Sequence, residues 1–459
     1  MSKTSVSRRG RGDKHASGSI RIMHPHAAGI DIGSESHYVA VGADQDKEPV
    51  RSFGCLTPDL HEMARWLKSC QVETIVMEST GVYWIPVMQV LESYGFEVRL
   101  VDARQAKNMP GRKTDVKDCQ WLQELHTYGL LTRAFRPAQE ICVLRSYWRH
   151  RRNLVELAST QIQWMQKSLE QMNLQLHKVL SDITGLTGMK IIRGIVSGQR
   201  DPMVLARMRH PRVRSSEDTI VKALTGDWRE EHLFTLGQAL ELYDVYQGKI
   251  AECDRRIEAY MKGLSRGAAV EPQDKVGSSK GGKGAVGFDL GRHLQEMTGV
   301  DLTKIDGIDA STAQTVISEG GYDMSRFATE KHYSSWMGLC PNHQITGGKV
   351  RKRRTRKVAN RAAVALRLAA QSLHKSRTAL GAFYRRMRSR HCPAKAVTAT
   401  AHKLAVLIYR MLKYGMAYVD QGQEAYERQY KERLINRLEK QARQMGYHMV
   451  SLDTGEVVS

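Results

Sequence analysis

Alternation of apolar and polar residues over the first third of the chain predicts a mixed α/β domain. Five short segments are rich in Val and Ile and are bounded by Gly, Ser or polar residues, as β-strands are. The predicted strands are 27–31, 37–41, 50–56, 74–78 and 98–101. Helical spacing of apolar residues marks 60–70 and 83–94, and Thr114 is placed to cap a further helix. The order of strands and helices fits a mixed sheet covered by helices.

In the middle of the chain, apolar residues follow a heptad spacing. Apolar residues recur at alternating steps of three and four from Leu144 to Ile183 and from Leu236 to Leu264, and only Arg151 interrupts the first series. This spacing predicts two long helices. They could form an antiparallel hairpin within one chain, a dimerising coiled coil or the core of a simple bundle. The Gly- and Ser-rich stretch at 263–291 predicts a flexible linker, and its SSKGGKG lacks the spacing of a Walker phosphate-binding loop.

The C-terminal part combines helical spacing with a strong positive charge. Residues 302–321 read as helix, turn and helix, which is similar to a helix-hairpin-helix, with Asp306 and Gly307 at the turn. That turn could contact a phosphate or be a plain helical connection. Residues 345–419 hold nineteen of the Lys and Arg residues and no Asp or Glu. Such single-sign charge on a helical segment indicates nucleic-acid binding. A charged amphipathic helix is predicted from 421 on.

Composition limits the class of protein. The chain has 459 residues, a net charge of +22 and seven scattered cysteines without CxxC spacing. Scattered, odd-numbered cysteines favour a reducing compartment and argue against a zinc site or a disulfide framework. No apolar run approaches the length of a membrane span. The basic N-terminus lacks the apolar core of a signal peptide and is expected to be a disordered tail.

Four acidic residues lie at positions where they could bind metal ions. Asp31 and Glu78 each end a predicted strand, and Asp115 and Asp118 share one face of the helix that Thr114 caps. Each acid alone could be an ordinary turn or capping residue. Together they could hold two Mg²⁺ ions, because Mg²⁺ prefers oxygen ligands and two such ions activate attack on a phosphodiester.

Three sequence motifs resemble a known family. GIDIGSESHYVAV, VMESTGVYW and KTDVKDCQWL resemble the DEDD transposases of a large group of bacterial insertion sequences. The resemblance implies an RNase H-like (RuvC-like) N-terminal domain in which Asp31, Glu78, Asp115 and Asp118 are the catalytic, metal-binding acids. It also implies a coiled-coil middle, which favours dimerisation, and a helical C-terminal transposase domain, so the fold class is α/β plus α.

The same resemblance extends to a fourth motif, SSWMGLCPNHQITGGKV, in the C-terminal part. Family members carry a nucleophilic serine before the Gly-Lys turn, where this chain has Thr346. A threonine hydroxyl can act as a nucleophile, and Ser334 and Ser335 are the alternatives. Nearby cations are expected to bind nucleic acid. These are Lys349, Arg351, Lys352, Arg353, Arg354, Arg356, Lys357 and Arg361.

The resemblance implies a Mg²⁺-dependent DNA recombinase of the bacterial cytoplasm and nucleoid. Its active site would be composed across a dimer or tetramer, and a structured, element-encoded bridge RNA would select donor and target DNA. A RuvC-like junction-resolving endonuclease and a decayed nucleic-acid-binding protein remain alternatives. The predicted divisions are a tail at 1–23, the catalytic domain at 24–137, the arm at 138–265, the linker at 266–291, the transposase domain at 292–420 and a C-terminal helix and tail at 421–459.

Overall fold

A computed structural model describes residues 21–78, 81–101, 114–264, 284–356, 358–415 and 418–450. The chain divides into two compact units, residues 1–136 and residues 137–459. Across the described ranges, none of the helices combines the length and apolarity needed to cross a bilayer.

The first unit is built on one mixed sheet. Its strands, in chain order, are β1 (Ala27–Ile32), β2 (Ser36–Ala40), β3 (Val50–Gly54), β4 (Thr74–Glu78) and β5 (Glu97–Val101). They lie in the order β3-β2-β1-β4-β5. The β1–β2 and β2–β3 pairs are antiparallel, whereas β1–β4 and β4–β5 are parallel. All five strands predicted from the alternation are confirmed, and the arrangement is compatible with an RNase H-like domain.

Three described helices accompany this sheet: α1 (Thr57–Ser69), α2 (Trp84–Ser93) and α3 (Asp115–Thr127). The apolar sides of α1 and α2 and the strands share one buried core. Thr114 caps α3 as predicted, because its side chain accepts a hydrogen bond from the Lys117 backbone N–H at 3.3 Å. That bond satisfies one of the amides that lack an intrahelical acceptor at a helix start.

The second unit begins with six described helices. They are α4 (Gln139–Gln171), α5 (Leu176–Val179), α6 (Leu186–Val196), α7 (Pro202–Arg207), α8 (Glu217–Leu224) and α9 (Glu230–Leu264). The two long ones, α4 and α9, run antiparallel. Ser168 contacts Thr235 at one end of the pair, and the Tyr260 hydroxyl donates to the Glu140 carbonyl at the other. The predicted long helices therefore pair as a hairpin within the chain, while a coiled coil between chains is not confirmed.

The first heptad series is longer than the helix that it predicts. The series continues to Ile183, but α4 ends at Gln171 because Asn173 adopts a positive φ of 56°. The apolar residues after this helix end, such as Leu174, pack instead in a separate core with α6 to α8. We call residues 172–229 the middle lobe. Its core explains why apolar spacing alone did not locate the end of α4.

Arg151, the interruption in the first heptad series, has a buried partner. Its guanidinium pairs bidentately with Asp254 of α9, and the two side chains are only 5% and 7% exposed. The same guanidinium donates to the carbonyls of Gly284 and Ala285, and the Gly287 N–H donates to Asp254 at 3.0 Å. We call this set of contacts the arginine clasp. It fixes the segment that follows residue 283, whereas most of the predicted linker lies outside the described residues.

Replacing Arg151 with methionine should destabilise the second unit by about 3–5 kcal/mol, because Asp254 would remain buried without its cation. The double variant Arg151→Met/Asp254→Leu should recover most of that loss. Urea unfolding followed by circular dichroism measures both. Arg193→Met is the matched control, since the Arg193–Asp244 pair is exposed and is expected to contribute only about 0–1 kcal/mol. Equal losses for the buried and exposed pairs would contradict the structural role of the clasp.

The C-terminal part of the second unit is mainly helical. Its elements are α10 (Leu290–Thr298), α11 (Ala310–Gly320), α12 (Glu330–Trp336), β6 (Pro341–Thr346), β7 (Lys349–Thr355), α13 (Arg361–Ser372), α14 (Ala379–Arg390), α15 (Pro393–Tyr414) and α16 (Gly422–Gln444). The predicted helices at the end of the chain are present. The β6–β7 hairpin was not predicted, because its residues are polar or basic on both faces and lack a strand-like alternation.

The turn that resembled a helix-hairpin-helix is covered by other side chains of the second unit. The Asp306 carboxylate accepts hydrogen bonds from Ser376 Oγ at 2.6 Å and Thr378 Oγ1 at 2.5 Å. A side chain at Gly307 would lie 3.0 Å from Leu373 Cδ2, so α13 and the turn after it pack directly on this backbone. In this structure the turn is a packed helical connection.

Candidate functional site

Asp31 and Glu78 lie next to each other at the ends of neighbouring strands. Parallel pairing aligns Ile30 of β1 with Met77 of β4, so the following residues on the two strands are Asp31 and Glu78. Neighbouring strands in a sheet are separated by about 4.8 Å. Both acids are half-buried. The sheet register thus brings together two acids that are far apart in sequence.

Both acids are on the sheet face that α3 covers. Gly29 is two residues before Asp31 and therefore shares its face, and a Cβ on Gly29 would lie 2.4 Å from the Cys119 carbonyl oxygen of α3. Val76 is two residues before Glu78 and packs with Leu122 of α3. The alternation of the strands consequently directs Asp31 and Glu78 toward the helix.

The direction of α3 places the other two acids at the same end of the sheet. Near its C-terminus, His126 hydrogen-bonds Thr74 at the start of β4, at 3.0 Å. Further toward its N-terminus, Cys119 lies over Gly29. The helix therefore runs antiparallel to β1 and β4, so its first turn, with Asp115 and Asp118, lies toward the strand ends that carry Asp31 and Glu78.

Cys119 is a buried thiol of α3 that feels the charge of two of these acids. Its thiol is fully buried, and burial raises its pKa to about 12. The negative charges of Asp31 and Asp118 add to that rise. The thiol is therefore neutral at physiological pH and is a buried packing group rather than a nucleophile. Asp115 differs because it is exposed to solvent. Nothing in the sequence pattern singled out Cys119.

The acids do not form a ready-made metal cage. Among the described residues, no group of three or more His, Cys, Asp or Glu side chains is arranged to hold a metal ion. Asp31, Glu78 and Asp118 each interact with other groups of the chain. The donor set still suits Mg²⁺, since carboxylate oxygens are its preferred protein ligands. Metal binding by these acids stays a proposal.

Thr346 lies at the tip of the β6–β7 hairpin and is exposed. It pairs with Lys349 across a two-residue turn of Gly347 and Gly348, whose φ angles are +57° and +73°. Two consecutive positive φ angles define a type I′ turn, which glycine adopts without steric cost. The turn presents the Thr346 hydroxyl and the Lys349 ammonium together at one end of a narrow hairpin.

Most of the predicted nucleic-acid-binding cations belong to this hairpin. Lys349, Arg351, Arg354 and Arg356 are exposed, and Lys352 and Arg353 occupy β7 positions. Lys357 lies outside the described residues. We call Thr346 and these hairpin cations the basic hairpin. Because cations occupy successive positions along β7 and successive strand residues face opposite sides, both faces of the hairpin are positive.

Arg361 begins α13 and differs from the hairpin cations. It is half-buried, and its Nη1 atom has no hydrogen-bond partner within the described part of the chain. A buried guanidinium N–H without an acceptor is unfavourable. Binding at Arg361 stays a prediction.

The alternative nucleophiles are less suitable. Ser334 is fully buried, and its hydroxyl donates to the Glu330 carbonyl. Ser335 is exposed, and its carbonyl accepts a hydrogen bond from Arg356 at 3.2 Å. Ser335 is accordingly the better alternative to Thr346.

Two matches with family models cover both candidate sites. Residues 28–174 match a model for DEDD transposases of the IS110 type, described as transposase. Residues 300–385 match a model described as the transposase IS116/IS110/IS902 family. The first match includes the four acids and the second includes the basic hairpin. Together they span just over half of the chain. A search of curated proteins gives no match.

Proposed function

The chain belongs to the IS110 family of DEDD transposases, and from that premise we propose that it cleaves and rejoins DNA strands with two Mg²⁺ ions and a hydroxyl of its own. The observation that supports this proposal is that Asp31 and Glu78 end neighbouring strands at the same end of the sheet toward which the first turn of α3 runs, with Asp115 and Asp118. Bound there, Mg²⁺ would polarise a phosphodiester and stabilise the leaving oxygen.

We assign the covalent step to Thr346. Its Oγ attacks the phosphorus of a DNA phosphodiester, and a new threonyl–phosphate ester forms. The bond from phosphorus to one deoxyribose oxygen breaks, and that oxygen takes up a proton while the threonine proton passes to solvent or to a carboxylate. A deoxyribose hydroxyl of another strand then attacks the phosphothreonine and releases Thr346, which completes strand exchange without an external energy source.

The two sites lie in different units of the chain, which suits an active site composed from more than one subunit. We propose a dimer or tetramer in which the acids of one protomer act with the basic hairpin of another. The antiparallel pair of α4 and α9 would serve as the arm between them. Mass measurement of the protein bound to DNA tests this arrangement, and a monomeric active complex would exclude it.

A junction-resolving endonuclease is the second candidate function, because Thr346 carries a β-methyl group that hinders attack. Such an enzyme would use the four acids alone and leave no covalent intermediate. Denaturing gels of the protein with labelled DNA separate the two functions: a recombinase gives a protein–DNA adduct, whereas a resolvase gives free cleaved strands. A chain that gives neither product would be a decayed, binding-only transposase.

Positive charge supports a further part of the proposal, a structured guide RNA. Residues 345–419 carry nineteen cations and no acid, which exceeds the number that a short DNA duplex commonly engages. An RNA encoded by the element would bind this surface and select donor and target DNA by base pairing. The protein itself would then need few contacts that read base sequence.

Protein purified from cells that carry the whole element should contain one discrete RNA, which sequencing of the bound nucleic acid would identify. Arg351→Glu/Arg354→Glu should reduce the copurified RNA at least about tenfold and flatten the dependence of binding on salt, because each lost phosphate contact removes counterion release. Arg428→Glu/Arg437→Glu is the matched control, since it makes the same charge change on the exposed side of α16. If no discrete RNA is enriched and protein alone recombines a defined site, the guided mechanism is wrong.

A further inference from the structure

A segment of the middle lobe resembles a segment of the C-terminal part in sequence, and we call the two segments the copies. Residues 183–210 align without gaps to residues 305–332. The identical positions are Ile183 and Ile305, Gly185 and Gly307, Ile195 and Ile317, Gly198 and Gly320, Asp201 and Asp323, Ala206 and Ala328, and His210 and His332. Neither family match covers the middle-lobe copy, because they end at 174 and resume at 300.

The two copies have a helix and a following turn in common. Each has a helix of eleven residues, α6 in the first copy and α11 in the second. Equivalent positions are buried, including Ile195 and Ile317, which are both fully buried. Each helix is followed by a short helical turn that an aspartate caps: Asp201 accepts from the Met203 N–H and Asp323 from the Ser325 N–H. The two copies therefore share a helix and the capped turn after it, whereas the turn before the helix differs, with φ of −70° at Gly185 and +84° at Gly307.

The copies differ at the turn that precedes the helix. In the C-terminal copy the turn is covered, because Asp306 is hydrogen-bonded to Ser376 and Thr378, and Ile308 is only 4% exposed. In the middle-lobe copy the equivalent residue, Leu186, is 74% exposed. The residue after the aligned glycine is thus packed by protein in one copy and exposed to solvent in the other.

The open turn borders a cavity of about 840 Å³. Basic side chains line it from two directions: His177 and Lys178 come from α5, and His210, Arg212 and Arg214 come from the loop after α7. We call this the lobe cavity. Its apolar rim residue is Leu186. A concave surface with converging cations and an exposed apolar edge suits a sugar–phosphate backbone.

The lobe cavity has little negative charge of its own. Asp182 is the one carboxylate among its described lining residues, and it is occupied by the Thr184 N–H at 2.9 Å and the Thr184 hydroxyl at 2.8 Å. Lys178, Arg212 and Arg214 are exposed, and none of them forms an ion pair with a carboxylate in the described ranges. These three cations are consequently available to an external anion.

The loop that carries the arginines is held in place by the chain. The Arg209 guanidinium donates to the carbonyls of Val213 and Ser215, and the Ser215 hydroxyl donates to the Val179 carbonyl at 2.8 Å. The His210 N–H donates to Thr187 Oγ1 at 2.9 Å, which joins the loop to the start of α6. Because the loop is fixed before binding, little ordering entropy opposes ligand capture.

We propose that the lobe cavity is a second DNA-binding site, which holds backbone phosphates of duplex DNA through Lys178, Arg212 and Arg214. DNA is favoured over RNA because DNA is the polyanion on which a transposase acts, whereas the guide RNA is itself a proposal. The site adds contacts outside the cleavage chemistry. It goes beyond the proposed function, which places binding at the basic hairpin.

Fluorescence anisotropy with full-length protein and a labelled DNA duplex tests the site. Arg212→Gln/Arg214→Gln should weaken binding about tenfold and lower the slope of log affinity against log salt by about 2, since two phosphate contacts are lost. Lys222→Gln/Arg229→Gln is the matched control, because it removes two exposed cations of the same lobe that do not line the cavity. Thermal unfolding of both variants should match the parent protein, which excludes loss of folding as the cause.

Each other outcome overturns the proposal. Unchanged affinity and salt slope for the cavity variant, or equal losses for the cavity and control variants, would show that the lobe cavity does not hold DNA. Unchanged DNA binding with a loss of structured-RNA binding would assign the cavity to RNA instead. The assay needs no strand cleavage, so failure of the proposed recombinase chemistry would leave this result interpretable.

Discussion

Asp118→Asn should abolish DNA strand cleavage while DNA affinity stays within about twofold of the parent protein. Asparagine preserves the shape of the side chain but removes the charge that would hold a divalent ion at the end of the sheet. Loss of a metal ligand should lower the cleavage rate at least about 10³-fold, which corresponds to about 4 kcal/mol of transition-state stabilisation. DNA affinity should persist because residues 345–419, which carry nineteen cations and no acid, are in the other unit.

Two measurements make this prediction specific. Labelled DNA on denaturing gels reports cleavage, and titration calorimetry with Mn²⁺ reports metal binding without requiring activity. Asp44→Asn is the matched control, because Asp44 is an exposed aspartate of the same unit, in the loop between β2 and β3. Cleavage by Asp118→Asn at the parent rate would remove the metal hypothesis.

Thr346→Ala should eliminate the covalent protein–DNA adduct completely, whereas Thr346→Ser should retain or increase it. Alanine lacks the hydroxyl, while serine keeps it and loses the methyl group that crowds attack. The exposed position at the hairpin tip means that neither change removes a packing contact, so the two variants should fold equally well. Trapping the adduct on a denaturing gel and mapping the modified peptide by mass spectrometry measures the effect.

Thr355→Ala provides the comparison within the same hairpin, because it removes a hydroxyl from the opposite end of β7. Its adduct yield should equal that of the parent protein. An adduct formed by Thr346→Ala would assign the nucleophile elsewhere, and Ser335 would be tested next because Ser334 is buried.

The sheet was predictable because its strands are short, alternating and bounded by turn residues. The closeness of Asp31 to Glu78 was not, since it depends on the register between β1 and β4, which involves residues far apart in the chain. The direction of α3 was equally hidden, because it follows from the contact of Gly29 with Cys119 and not from helical spacing. Local pattern thus identified the acids, and only non-local packing brought them together.

In the second unit the long helices were predictable, but the end of α4 and the buried ion pair were not. Heptad spacing predicted α4 and α9, but it passed over the end of α4, since the apolar residues after Gln171 serve another core. Arg151 stood out in the sequence as a break in an apolar series, yet its partner Asp254 is 103 residues away. A buried charge and its counter-charge carry no shared local signal, so the pair is found only in the folded chain.

The arginine clasp also has a consequence during synthesis of the protein. A ribosome adds about 5–20 residues per second, so Arg151 emerges roughly 5–20 s before Asp254, which is 103 residues later. During that interval α4 has an apolar side with no α9 to cover it. A charged guanidinium in the middle of that side opposes self-association of unfinished chains, because burying it without a counter-charge is unfavourable. We therefore expect Arg151 also to disfavour association between the α4 helices of unfinished chains.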